Sequence, residues 1–292
     1  MNDYKFKGLR SQSGAALLIM FLALFMVSAA VLLKGLRNKS LSLRQDAVIV
    51  KNLASAKEAL LAEAVMGNNP GHFPCPDLNN DGVAEATCGT NAVGRLPEKF
   101  NRDFAPDQQF WYALTDAYHG AIINSTTSGT LSLDGQSDVV AVIIAPGQAL
   151  TGQSRPNNTV ANYLEVGPVS GTNYITCSNP DTCNDKILVI LRKELMSLIT
   201  PRVAREIKKE LDHYYLNNGN QYPPDQAEFQ GAFTPLDSAE PWTVSNNWPT
   251  VTTYARDSTD TSKATLQFTD CAITFTLTSG SDVIDRNPKT CQ

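Results

Sequence analysis

Residues 9–33, LRSQSGAALLIMFLALFMVSAAVLL, decide how this chain reads. From Ala15 to Leu33 there are 19 residues with no charge and one hydroxyl, Ser28. At about 1.5 Å per residue, a helix of that length just spans the hydrocarbon core of a bilayer. A short basic leader with Lys5, Lys7 and Arg10 precedes it and ends at Gly14. An ordinary secretory signal puts its small-residue cleavage site after the apolar run. Here the glycine lies before the run, so a cut after Gly14 removes the leader and keeps the apolar helix. An uncleaved signal anchor is the plainer alternative for a hydrophobic segment with basic flanks.

The Gly14/Ala15 border resembles the type IV prepilin family, which includes pilins and the pseudopilins of type II secretion. The resemblance implies that a prepilin peptidase cuts after Gly14 and methylates the new N-terminus at Ala15. It implies other pilins or pseudopilins as partners through the N-terminal helix, together with an inner-membrane assembly platform. One position departs from the pattern: the family's glutamate, fifth after the cut, falls at Ile19. Some minor pilins and the tip pseudopilin are similar in lacking it.

The chain has 292 residues and a net charge of −5. The leader's Lys5, Lys7, Arg10 and Asp3 carry +2, so the chain after Gly14 carries −7. An acidic chain without a basic cluster argues against nucleic acid as a partner. Six cysteines, Cys75, Cys88, Cys177, Cys183, Cys271 and Cys291, all follow the apolar segment. An even count on an exported side points to disulfides. They fall into three sequence-local couples, which predicts the pairs 75–88, 177–183 and 271–291. Zinc competes poorly, because no couple has two-residue spacing and there are three histidines, His72, His119 and His213. Basic residues flank the apolar segment on both sides, so the cysteines and the prepilin-like border place the C-terminus in the periplasm.

The helical pattern continues past the apolar segment. Val48, Leu53, Ala56, Leu60 and Ala64 recur at helical spacing, and Gly67-Asn68-Asn69-Pro70-Gly71 stops the run. A helix over 15–66 would be roughly 80 Å long. Residues 138–145 read as a buried strand, 147–185 as a long loop tied by Cys177–Cys183, and 187–190 as a strand. A helix is predicted over 194–217, with Pro201 as a break or new start. Ala264, Leu266 and Phe268, then Ile273, Phe275 and Leu277, alternate as a hairpin does. Residues 68–74 and 217–223 repeat one pattern of asparagine, glycine, aromatic and proline after a helix. The second copy resembles the helix end of pseudopilins, which implies two tandem pilin-like heads.

The sharpest chemical constellation is Asp77-x-Asn79-x-Asp81-Gly82-x-x-Glu85. Oxygen ligands at a spacing of two, with a glycine for the turn, match the first half of a calcium loop. Its twelfth position is Cys88 where such loops place a bidentate glutamate, so binding should be weak. The alternative is an Asx-turn loop closed by Cys75–Cys88. No hydrolase or phosphate-loop motif is present. Asp212-His213 reads as a surface pair, and Arg95, Glu98 and Lys99 as a solvated loop. Trp111 and Tyr112 read as core; Trp242 and Trp248 lie in a Pro/Ser/Asn-rich loop, read as its buried anchors, with an exposed pair that binds a partner or a glycan as the alternative.

The expected fold is therefore α+β and pilin-like: a long N-terminal transmembrane helix running into a globular head, with two tandem heads and disulfides. The expected organisation is a leader over 1–14, the long helix over 15–66 with 15–33 in the membrane, a first head over 67–191 and a second helix and head over 192–292. The expected address is the inner membrane, single-pass, with assembly into a filament or exposure at the cell surface. The expected function is structural and non-enzymatic: a minor, tip or initiating subunit of a type IV pilus or type II secretion pseudopilus. An adhesive minor pilin is the runner-up, and a membrane-anchored periplasmic binding protein or enzyme is the reading from another class.

Overall fold

The computed structural model describes residues 13–90, 92–100, 109–120, 122–167, 171–233 and 241–291; between 13 and 43 the side chains described are those of 20–22, 24–26 and 28. The elements in chain order are α1 (Ser13–Met66), β1 (Val93–Arg95), β2 (Trp111–Leu114), β3 (Leu131–Leu133), β4 (Gln136–Ala145), β5 (Asn173–Tyr174) and β6 (Lys186–Leu191). There follow α2 (Arg192–Asn217), α3 (Gln226–Gly231), α4 (Trp242–Ser245), β7 (Thr252–Arg256), β8 (Lys263–Phe268), β9 (Cys271–Thr278) and β10 (Asp285–Asn287). The chain divides into two units, 1–50 and 51–292. The expected border at 191/192 falls at the β6–α2 junction inside the second unit.

The expected membrane span at 15–33, and with it the single-pass inner-membrane address, is corrected here. Among the described residues no helix is long and apolar enough to cross a membrane. The described side chains from Met20 to Met26 are apolar, but from Arg44 onward α1 carries Arg44, Asp46, Lys51, Lys57, Glu58 and Glu63. Residues 1–12 of the expected leader lie outside the described residues.

The expected class, a membrane helix bearing two pilin-like heads, is replaced by one β-rich unit over 51–292 with two sheets. The first runs β1-β2-β4-β3-β5, with β6 also paired to β4; the second is an antiparallel meander, β10-β9-β8-β7. β4 explains the apolar run seen in the sequence. It is central, pairing antiparallel with β2 and with β6, and is buried on both faces. One face, through Val139, Val142 and Ile144, packs with Trp111, Tyr163, Leu164, Val166 and Tyr174. α2 packs against β4, β6 and β9, and so serves both sheets.

In the meander, Ala264, Leu266 and Phe268 of β8 and Cys271, Ile273, Phe275 and Leu277 of β9 are buried. Leu266 pairs with Phe275 in register. This is the period-two pattern legible in the sequence, and each large buried apolar side chain contributes about 1.5–3 kcal/mol. Asp134-Gly135, both at positive φ, makes the β3–β4 hairpin turn, as that dipeptide prefers.

In α1 the stripe Leu53, Ala56, Leu60 and Ala64 is buried, whereas Val48 is exposed. Pro201 neither breaks nor starts a helix: it lies inside α2. It removes only the amide donor that would bond back to the carbonyl of Ser197.

Candidate functional site

The segment that joins α1 to β1 is fixed at its start by α2. Arg202 donates from Nη1 to the carbonyls of Val65 (2.6 Å) and Gly67 (2.8 Å), and its guanidinium lies 5.2 Å from the Trp242 ring centre. A cation there meets both the unpaired carbonyls and the negative end of the helix. Gly71 follows at φ +95°, and a Cβ there would collide with Ile123. Phe73 is then buried edge-on to Tyr118, with its amide donated to the Tyr118 carbonyl.

Cys75 and Cys88 are joined in a disulfide, as are Cys177–Cys183 and Cys271–Cys291, so the three expected local pairs are present. Inside the first loop the expected calcium residues make a self-bonded turn. Asp77 is buried; its Oδ1 accepts from the Asn80 amide at 2.6 Å and its Oδ2 from the Gly82 amide at 2.8 Å. Gly82 stands at φ +86°. Asn79 Oδ1 accepts from the Asp81 amide, Asp81 Oδ1 from the Val83 amide, and Glu85 Oε1 from the Leu78 amide. Asp77 also pairs its backbone with Arg95, which ties the turn to the edge of the first sheet.

The carboxylates of this loop do not form the closest cluster of potential ligands. Among the described residues, the group whose ligand atoms all come within 4.8 Å of one another is Cys75, Cys88 and His119. His119 ends a short 3-10 turn, Asp116–His119, after β2. Its Nδ1 is 3.0 Å from the Phe73 carbonyl oxygen and its Nε2 is 3.3 Å from that of Ala86. His72 lies against it, ring centres 4.4 Å apart. Burial, and then the nearby His119, hold the His72 imidazole below its usual value.

A second polar centre lies under the 147–185 loop. Arg155 donates to the carbonyls of Asn162, Gly147 and Tyr163 and to the Gln153 side chain, and its guanidinium lies 3.8 Å from Glu165. Asp185 is buried and accepts from the amides of Glu165 (2.7 Å) and Gly147 (3.1 Å). Burial first, and the Glu165 carboxylate after it, push the Asp185 carboxyl up to about 6.

Arg95 is not in a solvated loop. It is buried with its guanidinium 4.1 Å from the Trp111 ring centre and 4.4 Å from that of Tyr163, a cation between two π faces. Trp111, Tyr112, Trp242 and Trp248 are all buried, Trp248 edge-on to Phe268. Asp212 accepts from Tyr222 and Lys208, while His213 lies 3.9 Å from Glu210, so Asp212 and His213 do not act as a dyad. The backbone of Gly14 and Ala15 lies in the first turn of α1; the side chains of Ala15 and Ile19 lie outside the described residues. His119 escaped the sequence pattern because neither a motif nor a spacing links it to the cysteines.

No protein-family model, no curated protein and no solved structure matches this chain.

Proposed function

We propose that the chain is a non-enzymatic minor subunit of a type IV pilus or type II secretion pseudopilus, processed after Gly14. The observation that carries this reading is the order of parts: Gly14 and Ala15 at the start of α1, then an apolar stretch on the same helix. Met20, Phe21, Leu22, Leu24, Phe25 and Met26 are exposed on that helix. Such a patch calls for partners, and other pilins or pseudopilins supply it with matching helices. The β-rich unit with its C-terminal Cys271–Cys291 bond supports the role of a head. Prepilin peptidase and the assembly platform are the further partners of this reading. Ile19 in place of a carboxylate fits a tip or initiating position, where no neighbour above offers an N-terminus to neutralise. Mass spectrometry of the N-terminus tests the processing step. In cells with active prepilin peptidase the mature chain should begin at Ala15, and Gly14→Val should leave it uncut. An intact Met1 start in those cells overturns the proposal.

A further inference from the structure

The ligand geometry around the first disulfide points to a second state for that site. We propose that Cys75, Cys88 and His119 form a redox-gated metal site, closed as a disulfide and open, once reduced, to a borderline-soft divalent ion of the zinc class. Two thiolates and an imidazole are the donors such an ion prefers, with the fourth position left to water or a further imidazole. All three ligand atoms already lie within 4.8 Å of one another.

The surroundings of His119 favour a cation. Both ring nitrogens face carbonyl oxygens, of Phe73 and of Ala86. A neutral imidazole has one proton and can donate to one of them. The shorter contact, Nδ1 to Phe73, is the outer-shell bond that a metal-bound histidine usually makes. The other nitrogen, Nε2, 3.3 Å from the Ala86 carbonyl oxygen, then carries the lone pair that a metal ion would take. His72 lies against the same ring, centres 4.4 Å apart and planes tilted by 47°, and so is the imidazole placed to supply the fourth position. The scaffold is stiff: Phe73 and Tyr118 flank the two histidines and are buried. Cys75 is buried while Cys88 is half-buried, which leaves a way in for a reductant.

The chemistry balances with a dithiol reductant. Thiolate attack on the Cys75–Cys88 bond passes through a mixed disulfide and ends with the reductant oxidised and two thiols on the chain. Binding one divalent ion then releases the two thiol protons.

Cobalt(II) titration of the full chain, before and after reduction by a phosphine, tests this. The oxidised chain should show no thiolate-to-cobalt absorption. The reduced chain should take up one ion at this site, with an absorption that falls by about half in Cys75→Ser, which removes one thiolate of two. His119→Ala should weaken binding by about tenfold or more, since loss of an outer-shell partner alone costs that much. Alkylation mapping provides the second readout: cobalt should shield Cys75 and Cys88 but not the other four cysteines. Equal affinity in His119→Ala overturns the proposal. So does the same absorption in Cys75→Ser/Cys88→Ser, or loss of the folded circular-dichroism signal on reduction, because the site exists only in the fold.

Discussion

Mild acid should strengthen the 147–185 region, and Asp185 is the reason. Its carboxyl is pushed from 3.8 up to about 6, by burial first and by Glu165 after it, while the Glu165 and Gly147 amides pull the other way. The native chain therefore holds a proton that the unfolded chain releases earlier. At about 1.36 kcal/mol for each tenfold change in proton affinity, the gap between 3.8 and about 6 costs on the order of 3 kcal/mol of stability. That cost is complete above about pH 6 and disappears below about pH 4, so stability falls as pH rises between them. Acidifying from pH 7 to 5 should restore about 1 kcal/mol. His72 acts in the opposite sense: its value is lowered from 6.5, so the unfolded chain takes the proton first and stability drops on acidification. Asp260, held at about 2, titrates outside this window. The comparison must therefore be with Asp185→Asn, which keeps one acceptor and cannot ionise. Urea unfolding of both proteins at pH 5, 6 and 7 gives the difference, and the wild-type chain should gain about 1 kcal/mol relative to the variant on going to pH 5. Parallel curves would show that the buried carboxyl holds no proton in the native chain, and the reasoning would fail.

Three further variants test the segment between α1 and β1. Arg202→Ala should destabilise by about 2–3 kcal/mol, because it strands the carbonyls of Val65 and Gly67 and uncovers Trp242; urea unfolding checks this, and a loss under about 0.5 kcal/mol would show the cap to be idle. Asp77→Ala should cost about 2 kcal/mol with or without calcium, since it strands the Asn80 and Gly82 amides. Asp81→Ala should abolish the weak uptake of calcium expected at roughly millimolar concentration; calorimetry that shows no heat in either protein would leave the loop as an Asx turn.

What the sequence foretold depends on whether a feature has a period. The stripe Leu53, Ala56, Leu60 and Ala64, the run into β4 and the alternation of β8 and β9 are periodic, and their burial follows from one segment at a time. The disulfide partners were legible because each pair is local, separated by 13, 6 and 20 positions. Arg95 was not, because a charged residue reads as solvated until Trp111 and Tyr163 arrive from other parts of the chain. The acid pair is hidden for the same reason: nothing in the sequence near Glu165 or Asp185 shows that a loop brings one amide to the other's carboxylate. The membrane reading rested on length and hydropathy alone, and the described residues hold no helix that meets both conditions.

The repeat shows why a correct local reading can still imply the wrong architecture. Both copies do stop a helix, α1 at Met66 and α2 at Asn217, and both then bury an aromatic, Phe73 and Tyr222. Two heads would each need a helix of their own and a linker between them. The linker is missing, since β6 ends at Leu191 and α2 begins at Arg192. Arg192 itself binds back to the first sheet, donating to Asp138 (2.6 Å) and to the Ser125 carbonyl (2.7 Å). Further on, buried Asn246 accepts from the Ile123 amide, receives Asn124 at its carbonyl and donates to Asn69. A helix shared by two sheets, with a buried asparagine bonded to three partners from the other half, makes each half part of the other's core. The repeated motif marks where helices end; the number of folding units is set by α2, whose buried residues face both sheets.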